Sequence, residues 1–118
     1  MEFLLKRKQL PVTSYDPFFN PISLPNEPAF DYIIACEVVE HFYDPKKEFE
    51  TLYQLLHTGG TLICKTKLHD TQSDFANWWY KNDPTHVFFY SKQTFEVIKT
   101  QYEFKRLEIL EDYLTLQK

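Results

Sequence analysis

Two stretches of the chain carry a hydrophobic rhythm strong enough to define elements. Phe30-Asp31-Tyr32-Ile33-Ile34-Ala35-Cys36 is a nearly continuous apolar run with β-branched residues, and it predicts a strand buried on both faces. Downstream, Phe49, Leu52, Tyr53, Leu55 and Leu56 recur at helical spacing. Asp44-Pro45 supplies an N-cap and a proline at the first helical position, so a helix runs from there through Leu56. Gly59-Gly60 ends that helix and opens a second strand, Thr61 to Thr66. Strand, helix, glycine pair and strand make a βαβ unit with parallel strands.

The remaining pattern is weaker. Residues 1–9 read as the end of a helix with Phe3, Leu4 and Leu5 as its apolar patch. Leu10 to Tyr15 is short and rich in strand formers, and it stops at Asp16-Pro17. Prolines 17, 21, 25 and 28 make residues 17–29 an irregular connection. Residues 71–80, with Phe75, Trp78 and Trp79, predict another helix, and 81–90 a loop around Asn82-Asp83-Pro84. Ser91 caps a further helix with Phe95, Val97 and Ile98 as apolar positions. Two short strands, about 104–110 and 113–117, meet at Glu111-Asp112 as an antiparallel hairpin. The whole is expected to be one α/β domain, 1–118.

Composition narrows the function classes. With 43% hydrophobic and 18% aromatic residues, the 118-residue chain has the apolar mass for a packed core, which excludes a disordered chain. Its two glycines are adjacent, so neither a GxGxxG fingerprint nor a P-loop exists within it. The net charge is −4, and the densest basic cluster is Lys6-Arg7-Lys8, which argues against non-specific nucleic-acid binding. Cys36 and Cys64 lie in apolar runs and read as buried free thiols of a reducing compartment. The N-terminus has no signal-peptide pattern, and no apolar run approaches the roughly 20 residues of a membrane span. The default expectation is a cytoplasmic protein without a membrane partner.

The strongest chemical pattern is Glu37-x-x-Glu40-His41, which follows the C-terminal end of the predicted parallel strand. Open α/β sheets place their ligands there. Within one helical turn, Glu37 would face Glu40 and His41. Two carboxylates and an imidazole suit Mg²⁺, Mn²⁺ or Zn²⁺, with His86 or His69 as a further ligand; the bland alternative is a polar turn. Asp16, at a predicted strand end, is placed either to accept bonds from ribose hydroxyls or simply to start a turn. In Trp78-Trp79-Tyr80, the adjacent indoles cannot both face one core, so one lines a cleft or covers a loop.

Taken in order, Phe30 to His41, Asp44-Pro45 and Leu55-Leu56-x-x-Gly59-Gly60-Thr61-Leu62-Ile63 resemble the second half of a class I S-adenosylmethionine-dependent methyltransferase. Tyr15-Asp16-Pro17 resembles that family's second strand, Asp83-Pro84-Thr85-His86 to Ser91 the segment before its last helix, and the terminal hairpin its last two strands. The resemblance implies a partial Rossmann-like sheet with its first strand and glycine-rich loop missing, as in an N-terminally truncated domain. It also implies a role for each candidate residue. Asp16 would bind the cofactor ribose, and the backbone at Ala35 and Cys36 would face the methionine end. Trp79 and Tyr80 would wall the pocket of a small-molecule acceptor.

A narrower resemblance, to ubiquinone-pathway O-methyltransferases and small-RNA 2′-O-methyltransferases, rests on Glu-x-x-Glu-His and on His86 standing nine residues before Phe95. It implies a divalent metal on Glu37, Glu40, His41 and His86, with His41 and His86 in the catalytic role. An RNA acceptor would want a basic cleft, which the acidic composition does not supply. The rival from another class is a non-catalytic interaction module that keeps the fold without the cofactor. Without the family's first strand, the Ile33-Ile34 edge loses its partner. Either Pro11–Tyr15 pairs with it directly, the favoured arrangement, or two copies pair as a homodimer.

Overall fold

Four strands form one mixed sheet in the order β1-β2-β4-β3 in the computed structural model, which describes residues 2–69 and 75–118. Phe30–Cys36 (β1) and Leu56–Lys65 (β2) run parallel, joined through helix α2 (Pro45–Leu55). Helix α3 (Lys92–Gln101) leads into the antiparallel hairpin of β3 (Arg106–Ile109) and β4 (Leu114–Gln117), and β4 pairs antiparallel with β2. A short helix α1 (Glu2–Arg7) stands at the N-terminus. The α/β architecture expected from the sequence, parallel strands followed by an antiparallel hairpin, is the one observed.

Local chemistry explains the helices. The Asp44 carboxylate accepts a hydrogen bond from Lys47 N at 3.2 Å, and Pro45 starts α2 without wasting a donor. Ser91 and Thr94 cap α3 reciprocally, each side chain accepting from the other's backbone N–H. The strand register then sets the core. Ala35, Leu62, Cys64, Leu114 and Leu116 are buried on one face, and Phe49 of α2 and Phe95 and Ile98 of α3 close over it. The Phe49 ring sits at the centre, with the rings of Phe42, Tyr90, Phe95 and Tyr102 centred 5.7–6.4 Å away.

Several expectations are corrected. Leu10–Tyr15 forms no strand; Asp16 instead opens a turn, its Oδ1 accepting from Phe18 N at 2.7 Å and Phe19 N at 2.8 Å. Pro11 removes a ladder donor from that segment, and the short carboxylate finds nearby amides at less entropic cost than a distant strand. The favoured pairing of Pro11–Tyr15 with Ile33-Ile34 therefore does not occur, and β1 is an edge of the sheet. Nor is β1 buried on both faces: Tyr32 is 69% and Ile34 43% exposed, and Cys36 is exposed, because α2 and α3 pack against the other face. Cys64 is buried as expected.

The glycine pair lies inside β2, not between helix and strand. The chain leaves α2 at Leu55 and is already extended at Leu56. The register against β1 jumps from Phe30↔Leu56 to Tyr32↔Thr61, and the surplus residues bulge. Gly59 has φ +83°, in the left-handed region, and a Cβ on Gly60 would stand 2.9 Å from His57 O and 3.0 Å from Asp31 O. The helix expected over 71–80 falls partly outside the described residues. The described remainder forms two short 3₁₀ turns, Phe75–Asn77 and Trp79–Asn82. The expected loop follows these turns, and residues 83–89 carry no helix or strand.

Candidate functional site

At the C-terminal end of β1 the ladder makes one more bond, Glu37 N to Lys65 O at 2.8 Å, and then the backbone turns sharply. Glu37 has φ +53°, a left-handed conformation that costs a non-glycine residue about 1–2 kcal/mol. The turn ends the strand and starts a 3₁₀ turn, Val39–His41. Val39 and Glu40 are wholly buried, and His41 is half-buried at the rim. Glu37 thus precedes the turn that carries Glu40 and His41 and does not share it as the sequence pattern suggested.

The two carboxylates nevertheless meet, through a residue far away in the chain. The Tyr80 hydroxyl lies 2.7 Å from Glu40 Oε1, 3.0 Å from Glu37 Oε2 and 3.2 Å from Thr66 Oγ1. A phenol has one hydrogen, so it donates to the nearer carboxylate, Glu40. Burial and the bond to Glu40 push the Glu37 carboxyl above its ordinary range. Burial acts upward on Glu40 too, but its bonds with Glu37 and Tyr80 outweigh it and hold that carboxyl below the ordinary range. Of the two carboxylates, Glu40 is therefore the one that more readily carries the negative charge. Burial, with both carboxylates adding to it, drives the Tyr80 hydroxyl well above its ordinary value.

The loop after Tyr80 brings the second histidine. Glu40 O accepts from Val87 N at 2.9 Å and Phe88 N at 3.2 Å, which pins this loop against the turn after β1. The rings of His41 and His86 lie edge to face, 5.0 Å apart. His41 Nδ1 is 2.8 Å from Thr85 O, and His86 Nδ1 is 2.8 Å from Tyr80 O. A carbonyl only accepts, so each Nδ1 carries the hydrogen, and in the neutral ring each Nε2 keeps a lone pair. Glu40 Oε2 is buried with no hydrogen-bond partner among the described residues. Ligand atoms of Glu40, His41 and His86 all lie within 4.8 Å of one another.

A buried carboxylate oxygen with no partner among the described residues, grouped with two imidazoles oriented through their Nδ1 atoms, offers the kinds of donor that divalent cations take. Asp83 stands at the rim: its Oδ2 is 3.5 Å from His86 Nε2, and bonds from the Thr85 side chain and backbone hold its carboxyl below the ordinary range.

The other candidates fall elsewhere. Glu37 is outside the group of three, although it bonds to Tyr80 and neighbours Glu40. His69 packs against Phe75 and Trp78 and is not part of the group. Tyr80 does not wall an open pocket: it is 3% exposed and braces the carboxylates from beneath. Trp79 is 67% exposed beside it. Ala35 is buried and Cys36 exposed at the strand end leading to Glu37. Asp16 spends its Oδ1 on its own turn. Gly59 and Gly60 are at the N-terminal end of β2, whereas the site adjoins Lys65 at its other end. Sequence reasoning missed the bridging role of Tyr80 and the part of Thr66, which lie tens of residues from Glu37 and Glu40 and share no local pattern with them.

Comparison with known families gives a match that covers most of the chain: a family described as methyltransferase domain matches residues 2–109. None of the curated proteins searched matches it.

Proposed function

The chain belongs to the methyltransferase domain family, and on that premise we propose that the cluster after β1 is the acceptor side of a methyl-transfer site, using a divalent cation and a small acceptor with an oxygen or similar nucleophile. One observation carries this reading: ligand atoms of Glu40, His41 and His86 lie within 4.8 Å of one another, in a group where Glu40 Oε2 has no partner among the described residues and both Nδ1 atoms are already committed to backbone carbonyls. Glu40, His41 and His86 would hold the cation, which when bound lowers the pKa of an acceptor hydroxyl. The same Nε2 atoms of His41 and His86 serve as bases for that proton when no cation is bound. The exposed Trp79 lies against Tyr80 and offers a flat apolar surface to the acceptor.

S-adenosylmethionine, which the family implies, would supply the sulfonium methyl group. The residues described here do not make a full cradle for it. The end of β1 at Ala35 and Cys36 has no glycine beside it, and the Asp16 carboxylate is engaged in its own turn. We therefore assign these residues the acceptor half of the chemistry and expect weak cofactor binding by the 118 residues alone. The same observation supports the second reading, an interaction module that keeps the fold without turnover.

Two measurements separate the readings. Mn²⁺ or Zn²⁺ should raise the melting temperature by linkage, and His41→Ala should remove most of the rise. A melting temperature indifferent to every divalent ion would overturn the cation. Calorimetry with S-adenosylmethionine and its demethylated product, on this chain and on one extended upstream, tests the rest. Tighter binding by the extended chain supports the enzyme, and no binding by either supports the interaction module.

A further inference from the structure

Tyr80 touches two of the three candidate ligands from opposite ends of its own residue. Its hydroxyl donates to Glu40 Oε1 at 2.7 Å, while its carbonyl oxygen accepts from His86 Nδ1 at 2.8 Å. Its ring lies against the His86 imidazole with centroids 4.2 Å apart. The side chain is 3% exposed and wedged between Thr66 on one side and Trp78 and Trp79 on the other.

We infer that Tyr80 is the positioning residue of the Glu40–His41–His86 site, fixing which oxygen of Glu40 and which nitrogen of His86 face the cation. The inference rests on the cation reading and deepens it. By occupying Oε1, the phenol leaves Oε2 as the oxygen without a partner. By occupying Nδ1, the carbonyl leaves Nε2 as the basic nitrogen. Freed from the phenol, the carboxylate could turn both oxygens out of register with the histidines, and the other imidazole tautomer would put a hydrogen on Nε2 and set the Nδ1 lone pair against the carbonyl oxygen. Partners behind the ligands that fix orientation and tautomer in this way typically matter about 10–100-fold in metal affinity. Glu37 then has a different role from the one its spacing implied: it bonds to the phenol and stands outside the group of three.

The test uses Co²⁺ as the probe, because its visible absorption reports the ligand set directly. Tyr80→Phe keeps the ring and the backbone carbonyl and removes only the hydroxyl. It should weaken Co²⁺ binding by about 10–100-fold and change the visible spectrum of the bound ion. Glu37→Gln keeps a hydrogen-bonding side chain beside the phenol and should change both affinity and spectrum less than Tyr80→Phe does. If Tyr80→Phe does not fold because two carboxylates are left facing each other, the same change is measured in the Glu37→Gln background, where that repulsion is gone. Unaltered Co²⁺ affinity and spectrum in the Phe variant would overturn the positioning role while leaving the cation site standing. Failure of the unaltered chain to bind Co²⁺ would overturn both.

Discussion

Residues 2–29 and residues 30–118 are both supplied with large apolar side chains, yet only the second region builds a core. Leu10, Tyr15, Phe18, Phe19 and Ile22 of the first are exposed, Phe18 and Phe19 at 85% and 91%. Every buried hydrophobic residue among those described lies at Ala35 or beyond. The difference is one of pattern. Phe49, Phe95 and Ile98 repeat at helical spacing behind good caps, and they meet the alternating face of a paired sheet. The apolar residues of the first region are separated by Pro11, Pro17, Pro21, Pro25 and Pro28, which prevent either period from developing. Hydrophobicity without a face does not make a core.

The largest effect that tests this contrast is a pair of ring deletions. Phe49→Ala should cost about 3–5 kcal/mol, because four aromatic rings lose their common neighbour. Phe19→Ala should change stability by no more than about 0.5 kcal/mol. Urea denaturation of both variants measures the gap, and equal losses would erase the distinction between the regions.

A smaller pair compares the same local chemistry in the two settings. Ser91→Ala removes half of a reciprocal cap on a helix packed in the core and should cost about 1 kcal/mol. Asp16→Ala removes two hydrogen bonds from an exposed turn and should cost less than about 0.5 kcal/mol in the same denaturation assay. Limited chymotrypsin digestion should cut first after Phe18 or Phe19, before any aromatic of the core. A first cut after Phe49 or Phe95 would contradict the burial pattern.

The two faces of the sheet repeat the contrast on a finer scale. Cys36 is exposed on the open face, whereas burial, with Glu40 adding to it, drives the Cys64 thiol well above its ordinary value. A thiol reagent should therefore modify Cys36 in the folded protein and reach Cys64 only on unfolding, as mass spectrometry of the labelled peptides would record. Modification of both at similar rates would show the core face to be open.

Much of this was legible from residue order alone. The strand Phe30–Cys36, the helix capped by Asp44-Pro45, the Ser91 cap and the terminal hairpin all carry signals within a few residues, where capping and alternation act. Of the residues in Glu-x-x-Glu-His and His86, the fold brings Glu40, His41 and His86 within 4.8 Å of one another and leaves Glu37 out of that group. Leu10–Tyr15 had strand-forming residues but no strand beside it, and strand propensity expresses packing against neighbours more than any preference of the backbone itself.

The sequence by itself determined which segments could become elements, because periodicity and caps are local. Tertiary structure alone decided which face of β1 would be covered, which oxygen of Glu40 would be left over, and that Glu37 would bond to Tyr80 and stay outside the group of Glu40, His41 and His86. The last two outcomes depend on contacts between Tyr80 and residues 40 and 43 positions earlier in the chain. No local propensity spans such a separation. The atoms meet only once β1 and β2 have paired and the loop after Tyr80 has bonded to the Glu40 carbonyl.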